Sequence, residues 1–299
     1  MKFMVFTDSD LDGVVSYLVF RWFFKDHQID VKPTTISKFR NDYSKWLSRN
    51  NINDYDKIYV LDLDVHECID LIDNDKHTII DHHKTHVDNL NYKNATTIVK
   101  EYTSCCKLLY KIFKQLYNQD PLSFEQKKLL LMADDYDCYK LELPDTRYLN
   151  VIYWNTQNRF DSFVKNFYNG FTGFTYQQQN IIKLYNQEIK EMLDNLEVYG
   201  IKTSVQGKEV LILSTFTTKY INEIADVLLD KGACIAIIVN TSSNHVSFRR
   251  STTCDDINLI EFTNKVTGGS GGGHEYASGS EITDTFIDFT KCLKEWKNE

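Results

Sequence analysis

The sequence predicts an α/β protein with two domains, of which the N-terminal one is built on a parallel sheet and the C-terminal one is smaller. Three observations support this prediction. Short apolar runs alternate with helical segments in the first part of the chain, a long amphipathic segment follows near its middle, and strand-like runs return after Gly200. We therefore expect a sheet domain at 1–175, a helical connector at 176–198 and a second α/β domain at 199–299.

Three apolar runs in the N-terminal half predict buried strands, and each of them ends in an aspartate. They cover residues 2–8, 56–62 and 77–81. Helical segments at 14–26 and 66–73 would make the right-handed crossovers of a parallel sheet. Because ligands bind at the carboxyl edge of such a sheet, we expect Asp8, Asp62 and Asp81 to converge there.

The rest of the chain is predicted to be helical up to the second domain. From Thr103 to Tyr139 the apolar residues follow a helical period without an intervening strand, and Tyr176 to Leu196 has the pattern of one long helix. Apolar runs at 209–214 and 233–240 predict strands of the second domain, with helices between and after them.

Composition restricts the class of protein and of partner. The 299 residues carry 34 basic and 42 acidic side chains, which gives a formal net charge of −8, and 42% of them are hydrophobic. These values are typical of a globular protein and exclude collagen, coiled coil and disordered chains. Binding along a nucleic-acid polymer needs an excess of Lys and Arg, so we expect any nucleic-acid substrate to be captured locally. No signal peptide, transmembrane segment or membrane partner is expected.

The seven cysteines form an odd set without a C-x-x-C pair. This pattern disfavours a disulfide framework or a zinc ribbon and predicts reduced thiols in a cytoplasmic protein. Cys105 and Cys106 are expected to be small core residues near the start of a helix.

Acidic and imidazole side chains cluster in the sequence where the predicted strands end. The set is Asp8, Asp10, Asp12, Asp62, Asp64, Asp81, His82 and His83. Carboxylates two residues apart on a tight turn repel each other unless a cation compensates them. Oxygen ligands with one or two histidines suit Mn²⁺ or Mg²⁺ better than Zn²⁺, and a shared carboxylate would hold two ions roughly 3.5–4 Å apart, as in phosphoryl-transfer sites. Taken singly, the first three aspartates could instead cap a helix, and the two histidines could lie in a solvated loop.

The motifs D-S-D-L-D-G, L-D-L-D and D-H-H, in this order, resemble those of the DHH phosphoesterase superfamily. Residues 271–279, GGGHEYASG, resemble the G-G-G-H-x-x-A-A-G signature of the DHHA1 domain. The resemblance spans nearly the whole chain. In size and domain order, the chain is most similar to members of the nanoRNase and phosphoadenosine phosphatase branch, including cyclic-dinucleotide phosphodiesterases, and to the shorter relatives of the RecJ exonuclease.

The resemblance implies a role for each motif residue. Asp10 would bind a first metal ion, Asp12 and His82 would bind a second, and Asp62 would bridge the two. His83 and Asp81 would act as catalytic residues that orient His82 and contact the phosphate.

Two further metal ligands are expected at positions where this sequence either departs from the family pattern or offers several candidates. The family usually has His where this sequence has Asp8, so Asp8 is expected to add an oxygen ligand and to shift metal preference toward Mg²⁺. The family also supplies an Asp from a helix after D-H-H. The run A-D-D-Y-D-C-Y offers Asp134, Asp135 and Asp137, and its spacing to Tyr139 favours Asp135, with Asp134 next.

Substrate binding is expected in the second domain. Gly272 and Gly273 would let the backbone approach an anion, with His274 directed at a phosphate or base. In V-S-F-R-R-S, Arg249 matches the family's phosphate-binding arginine and Arg250 is its neighbour. Without the companion signature, the glycines would indicate a linker and the arginine a surface charge.

The function implied by the resemblance is hydrolysis of phosphodiester or terminal phosphate bonds by a water activated by two Mn²⁺ ions, with Mg²⁺ as the alternative. The expected substrates are short oligonucleotides, nucleotides or cyclic dinucleotides, and single-stranded nucleic-acid ends are also compatible. The alternatives are a RecJ-type exonuclease, an inorganic pyrophosphatase or polyphosphatase, and a non-catalytic replication scaffold.

Overall fold

The computed structural model describes residues 1–269, 271–273 and 275–295. The chain divides into two compact units, Met1–Lys183 and Leu184–Glu299. The boundary falls within the long helix Tyr176–Asp194, in the segment predicted as the connector. Within the described ranges, no helix combines the length and the apolar character needed to cross a bilayer.

The first unit contains a five-stranded sheet in which all neighbouring strands are parallel. Its strands are β1 (Lys2–Asp8), β2 (Gln28–Thr34), β3 (Lys57–Leu61), β4 (His77–Asp81) and β5 (Thr96–Val99). Their order across the sheet is β2-β1-β3-β4-β5. The predicted α/β class is therefore confirmed, and the strands predicted at 2–8 and 77–81 have those bounds.

Helices connect and follow these strands. They are α1 (Leu11–Phe23), α2 (Ile36–Leu47), α3 (Ile69–Ile72), α4 (Lys84–Asp88), α5 (Cys105–Tyr117), α6 (Phe124–Asp137), α7 (Thr146–Trp154), α8 (Arg159–Phe167) and α9 (Tyr176–Asp194). The helix predicted at 66–73 is a 3₁₀ turn followed by the single turn of α3.

Alternate residues of β1 enter two cores, one on each face of the sheet. Phe3 and Val5 pack in the core that contains α1, α5 and α6. Met4 and Phe6 pack in the opposite core, which includes Phe39 of α2. Because both faces are covered, the central strands are continuously apolar, which made them recognisable in the sequence.

The two edge strands, β2 and β5, have weaker sequence patterns and were not predicted. β2 carries charged residues and Pro33, which an edge strand tolerates because one side of its backbone needs no ladder hydrogen bond. β5 is a four-residue strand with only partly covered side chains.

The second unit contains a seven-stranded mixed sheet of order β10-β11-β9-β8-β7-β6-β12. Its elements are β6 (Tyr199–Val205), β7 (Lys208–Phe216), α10 (Ile221–Asp230), β8 (Ile235–Asn240), β9 (His245–Arg250), α11 (Leu259–Thr267), β10 (Gly272–Gly273), β11 (Ala277–Glu281), α12 (Asp284–Thr290) and β12 (Lys294–Glu295). Among the described residues, β7 and β8 pair in parallel and the other neighbours are antiparallel.

The prediction that all cysteines are reduced was wrong for one pair. Cys234 and Cys254 form a disulfide across 20 residues of sequence, since the start of β8 lies beside the turn that follows β9. Cys105 and Cys106 are fully buried free thiols at the start of α5, as expected.

A buried histidine links α2 to the sheet. His77 at the start of β4 is fully buried, donates from Nδ1 to Asn74 Oδ1 at 2.8 Å and accepts at Nε2 from the Tyr43 hydroxyl at 2.8 Å. Burial lowers the pKa of His77 to about 4, because the imidazolium form would lose its hydration.

This pKa predicts an acid-dependent loss of stability. The folded state resists protonation of His77, so its contribution is complete above the unfolded-state pKa of about 6.5 and is lost as the pH falls from there toward about 4. The loss should be on the order of 2–3 kcal/mol. His77→Gln should flatten this part of the curve of unfolding free energy against pH, as measured by urea denaturation. Equal slopes for both proteins between pH 6.5 and 4 would contradict the assignment.

Candidate metal centre

The loop after β1 is shaped by a glycine. A Cβ at Gly13 would lie 2.2 Å from the Asp8 carbonyl oxygen, so no larger residue fits there. Asp10 caps α1 by accepting from the Gly13 amide at 2.8 Å, and Thr7 Oγ1 donates to the Gly13 carbonyl at 2.7 Å. The glycine of the D-S-D-L-D-G motif thus holds the aspartates against the end of the strand.

Asp12 is in the first turn of α1, and its carboxylate contacts the N-terminus of α5. It is only 2% exposed, and its two oxygens accept from the amides of Cys105 at 2.6 Å and Cys106 at 2.9 Å. Two amides and the positive end of the helix dipole stabilise the carboxylate form. This contact spans 93 residues, and no local pattern in the chain indicates it.

Asp62 lies just beyond β3 with a φ of 57°, a left-handed conformation that is costly for a side chain with a Cβ. The carboxylate is buried, and no hydrogen bond from the described residues reaches its Oδ1 atom. Burial, followed by repulsion from Asp12 and Asp10, raises the pKa of Asp62 well above its usual range. This acceptor therefore lacks the compensation that a buried carboxylate requires.

His82 directs Nε2 at three carboxylates. The Tyr102 carbonyl lies 3.2 Å from Nδ1 and can only accept, so Nδ1 is the donor of this hydrogen bond. Nε2 lies 3.3 Å from Asp62, 3.5 Å from Asp137 and 3.7 Å from Asp12. This is the orientation expected for a metal-binding imidazole.

The structure brings a different aspartate of α6 toward His82 from the one that the sequence pattern favours. Asp135 accepts from the amides of Glu142 at 3.0 Å and Leu143 at 2.9 Å, so its carboxylate fixes the loop after the helix. Asp137, not Asp135, approaches His82. Residues one or two apart on a helix point in different directions, and that difference decides which aspartate reaches the strand ends.

Asp134, the second choice, is also engaged elsewhere. Its carboxylate accepts from the hydroxyls of Thr103 and Ser104 and is ion-paired with Lys107 at 2.6 Å.

Asp81 binds two histidines in a buried network. Its oxygens accept from Nδ1 of His83 and Nδ1 of His86, both at 2.7 Å. Burial opposes ionisation, but these two hydrogen bonds outweigh it and lower the pKa of Asp81. Burial likewise opposes the charge on His83, yet the bond to Asp81 raises the pKa of His83 to about 9. His83 is therefore a cation at neutral pH.

His86 is a residue that the sequence analysis missed. It is fully buried, and its Nε2 forms a hydrogen bond with the Tyr92 hydroxyl at 3.0 Å. Asp64, which accepts from His66 at 2.6 Å and from Thr85 at 2.5 Å, lies 3.7 Å from His86 Nδ1. The sequence did contain a signal for His86. It lies three residues after His83, and this spacing on a helical turn places the two side chains on the same side.

Three groups of potential ligand atoms lie at this edge of the sheet, and within each group the atoms lie within 4.8 Å of one another. They are Asp62, His82 and His83; Asp12, His82 and Asp137; and Asp64, Asp81 and His86. Asp8 and Asp10 belong to none of these groups. Asp8 accepts from the Ser9 amide at 2.5 Å, and burial together with repulsion from Asp10 raises the pKa of Asp8 to about 7.

The donor set fits a divalent cation. Its oxygens and imidazole nitrogens are of the type that Mg²⁺ and Mn²⁺ accept, and the uncompensated Asp62 Oδ1 atom lies among them. Burial, followed by repulsion from Asp12, also raises the pKa values of Asp10 and Asp137. A positive charge at this place would relieve both effects.

The predicted substrate residues of the second unit lie on neighbouring strands. Arg249 on β9 donates to Asn222 Oδ1 at 2.7 Å and to the Phe248 carbonyl at 2.8 Å. β11, which pairs with β9, also pairs with Gly272 and Gly273. A Cβ at Gly273 would lie 2.4 Å from the Ala277 carbonyl oxygen, so close strand approach requires glycine there. His274 lies outside the described residues.

Arg250 is structural. It is 3% exposed, donates to the carbonyls of Asp255 and Ile257, and is ion-paired with Glu275 at 2.9 Å. Its side chain therefore connects β9 to the loop that follows it.

The correction on α6 can be tested with two matched substitutions. Asp137→Asn should weaken Mn²⁺ binding at least about tenfold, because it removes a charged ligand. Asp135→Asn should leave Mn²⁺ affinity unchanged and lower the melting temperature, because the amide keeps only one acceptor for two backbone donors. Isothermal titration with Mn²⁺ measures both affinities. A loss confined to Asp135→Asn would restore the original assignment.

Comparison with known proteins adds two kinds of information. The model of the DHH family, N-terminal domain, matches residues 2–133. No curated protein matches the sequence.

Several solved structures share the fold at low sequence identity. The pGpG-specific phosphodiesterase PggH from Vibrio cholerae is 15% identical with a TM-score of 0.57, over 97% of this chain and 96% of that one. RecJ from Thermus thermophilus is 9% identical in complexes with Mn²⁺ and with Mg²⁺, with TM-scores of 0.57 and 0.50. These two alignments cover 97% of this chain and 51% and 48% of the RecJ chains.

The matched N-terminal domain contains the three acidic and histidine motifs, in order, at the carboxyl ends of parallel strands. On this evidence, residues 2–133 are an N-terminal domain of the DHH family.

Proposed function

We propose that this protein is a divalent-metal-dependent phosphoesterase that hydrolyses phosphodiester or terminal phosphate bonds in short oligonucleotides or nucleotides. The observation that carries the proposal is the buried Asp62 carboxylate, whose Oδ1 atom is hydrogen-bonded to none of the described residues and lies 3.3 Å from Nε2 of His82. A buried carboxylate oxygen without a hydrogen-bond partner, repelled by Asp12 and Asp10, requires a cation to compensate its charge.

Asp12, Asp62, His82 and Asp137 would hold the cation, and Asp10 and Asp8 supply further carboxylates next to them. Two ions sharing Asp62 are the arrangement that we favour. Bound divalent cations would supply Lewis acidity, which neutralises charge on phosphoryl oxygens and makes water more acidic.

The residues around the metal centre would position and neutralise the substrate. The Tyr102 carbonyl accepts from His82 Nδ1 and fixes the ring so that Nε2 is directed at the carboxylates, the orientation in which it would bind a metal ion. Asp81 holds His83 as a cation, and one ring nitrogen of His83 lies within 4.8 Å of ligand atoms of Asp62 and His82. His83 can therefore donate a hydrogen bond to a phosphate that reaches the centre, where charge increases during reaction.

Two observations support a short substrate. The net charge of −8 disfavours binding along a polymer, so recognition has to be local. A pGpG-specific phosphodiesterase is among the solved structures with this fold. Dinucleotides are therefore the substrates that we would test first, and Arg249 and the glycines near β11 are the proposed phosphate-binding residues of the second unit.

Asp62→Asn provides the direct test. With Mn²⁺ or Mg²⁺, the wild type should hydrolyse pGpG or pApA, and the variant should lose on the order of a thousandfold or more in rate, because an ion then lacks a charged ligand. Asp54→Asn, at an exposed position outside the metal centre, is the matched control and should retain wild-type activity. A panel of pGpG, pApA, longer RNA and DNA, phosphoadenosine phosphate and pyrophosphate identifies the substrate.

Thermal melting in the presence of a chelator shows whether Asp62→Asn loses activity because the protein unfolds or because a metal ligand is missing. Because burial and repulsion disfavour the Asp62 charge, Asp62→Asn should melt no lower than the wild type when metal is absent. An active Asp62→Asn protein, or a wild type that hydrolyses nothing in the panel, would contradict the proposed function.

A further inference from the structure

A cavity of about 490 Å³ in the first unit borders the loop between β1 and α1. Its lining includes Ser9, Thr34, Lys38, Tyr153, Arg159 and Phe160. Ser9 is the residue between Asp8 and Asp10, and Thr34 ends β2, so the cavity lies at the carboxyl edge of the sheet, next to the metal centre. This is the edge at which α/β proteins bind ligands, and the volume suits a small organic molecule.

One wall of the cavity is fixed to the loop that carries the aspartates. Tyr153 is fully buried, and its hydroxyl donates to the Ser9 carbonyl at 2.7 Å. Phe160 at the start of α8 is 7% exposed. A ligand held against this wall would therefore keep a constant position relative to Asp8 and Asp10.

Arg159 contributes a positioned positive charge to the same wall. The guanidinium carbon lies 4.0 Å from the centre of the Trp154 ring and 5.7 Å from that of Tyr153, so stacking holds the side chain. No carboxylate among the described residues forms an ion pair with Arg159. A partly buried, stacked guanidinium without an anionic partner is suited to bind a phosphate with its planar set of donors.

Lys38 also lines the cavity, together with the carboxylates of Asp42 and Asp161. Lys38 lies in the first turn of α2, and the N-cap residue Thr35 makes no side-chain bond to the helix amides. Asp42, which also lines the cavity, already accepts from the Thr34 hydroxyl at 2.7 Å. Val31 and Pro33 add apolar surface that a ribose or base can cover.

We infer that this cavity binds a nucleoside monophosphate unit of the substrate, with the phosphate at Arg159 and Lys38 and the nucleoside against Val31, Pro33 and Phe160. The inference rests on the proposed function, because it takes the unit to be the one next to the bond that is cleaved. The cavity would thus select nucleotides over other phosphate esters.

The test is isothermal titration of AMP and of adenosine into the full-length protein in excess EDTA, where no metal contributes to binding. AMP should bind the wild type more tightly than adenosine does. Arg159→Ala should weaken AMP binding at least about tenfold, which corresponds to the loss of a charge-assisted hydrogen bond, and should leave adenosine binding unchanged. Arg49→Ala, an exposed arginine in the same unit that does not line the cavity, is the matched control and should bind AMP as the wild type does.

Lys38→Ala keeps the test valid if Arg159→Ala does not fold, because Lys38 is exposed and its removal leaves the packing intact. It should also weaken AMP binding. Equal affinities for AMP and adenosine, or unchanged AMP affinity in the folded cavity variants, would overturn the inference. Hydrolysis of bis(p-nitrophenyl) phosphate by the wild type with Mn²⁺ tests the proposed function separately, since that ester contains no nucleoside.

Discussion

Negative charge held away from water at one edge of the parallel sheet is the constraint on which the first unit depends. Asp12 and Asp62 are buried there, and the side chain of Asp137, which is 25% exposed, lies beside them. Removing a carboxylate from water costs several kcal/mol unless a partner compensates it. The α5 amides stabilise Asp12, but Asp62 Oδ1 accepts no hydrogen bond from the described residues, and repulsion from Asp12 and Asp10 adds to the cost of its burial. A divalent cation is the compensation that this arrangement still requires.

The histidines of the centre are prepared for this role by acceptors on their far side. Nδ1 of His82 donates to the Tyr102 carbonyl, and Nδ1 of both His83 and His86 donates to Asp81. Each acceptor fixes a ring orientation, so His82 and the cationic His83 are positioned by a hydrogen-bond network before any ligand binds. The fold places this network at the end of β4.

The sequence predicted the convergence of the motifs correctly because parallel strands share a carboxyl edge. Asp62 and the D-H-H residues follow strands that are buried on both faces, and such strands are readable as continuous apolar runs. The structure brings Asp137 toward His82, whereas the sequence pattern favoured Asp135. Spacing to an aromatic residue says nothing about helix rotation, and the orientation of α6 directs Asp137 to His82 while Asp135 binds the backbone of the next loop.

The sequence by itself determined the α/β class, the resemblance to the DHH family and the strand ends that carry its motifs, since each follows from patterns within a few consecutive residues. Only the tertiary structure decided the contacts between distant segments. Asp12 meets the start of α5 across 93 residues, and Cys234 meets Cys254 across 20, against the prediction of reduced thiols. The cavity that Arg159 lines beside Ser9 is likewise formed by separate segments. Such contacts depend on how packed elements meet in space, which local periodicity does not encode.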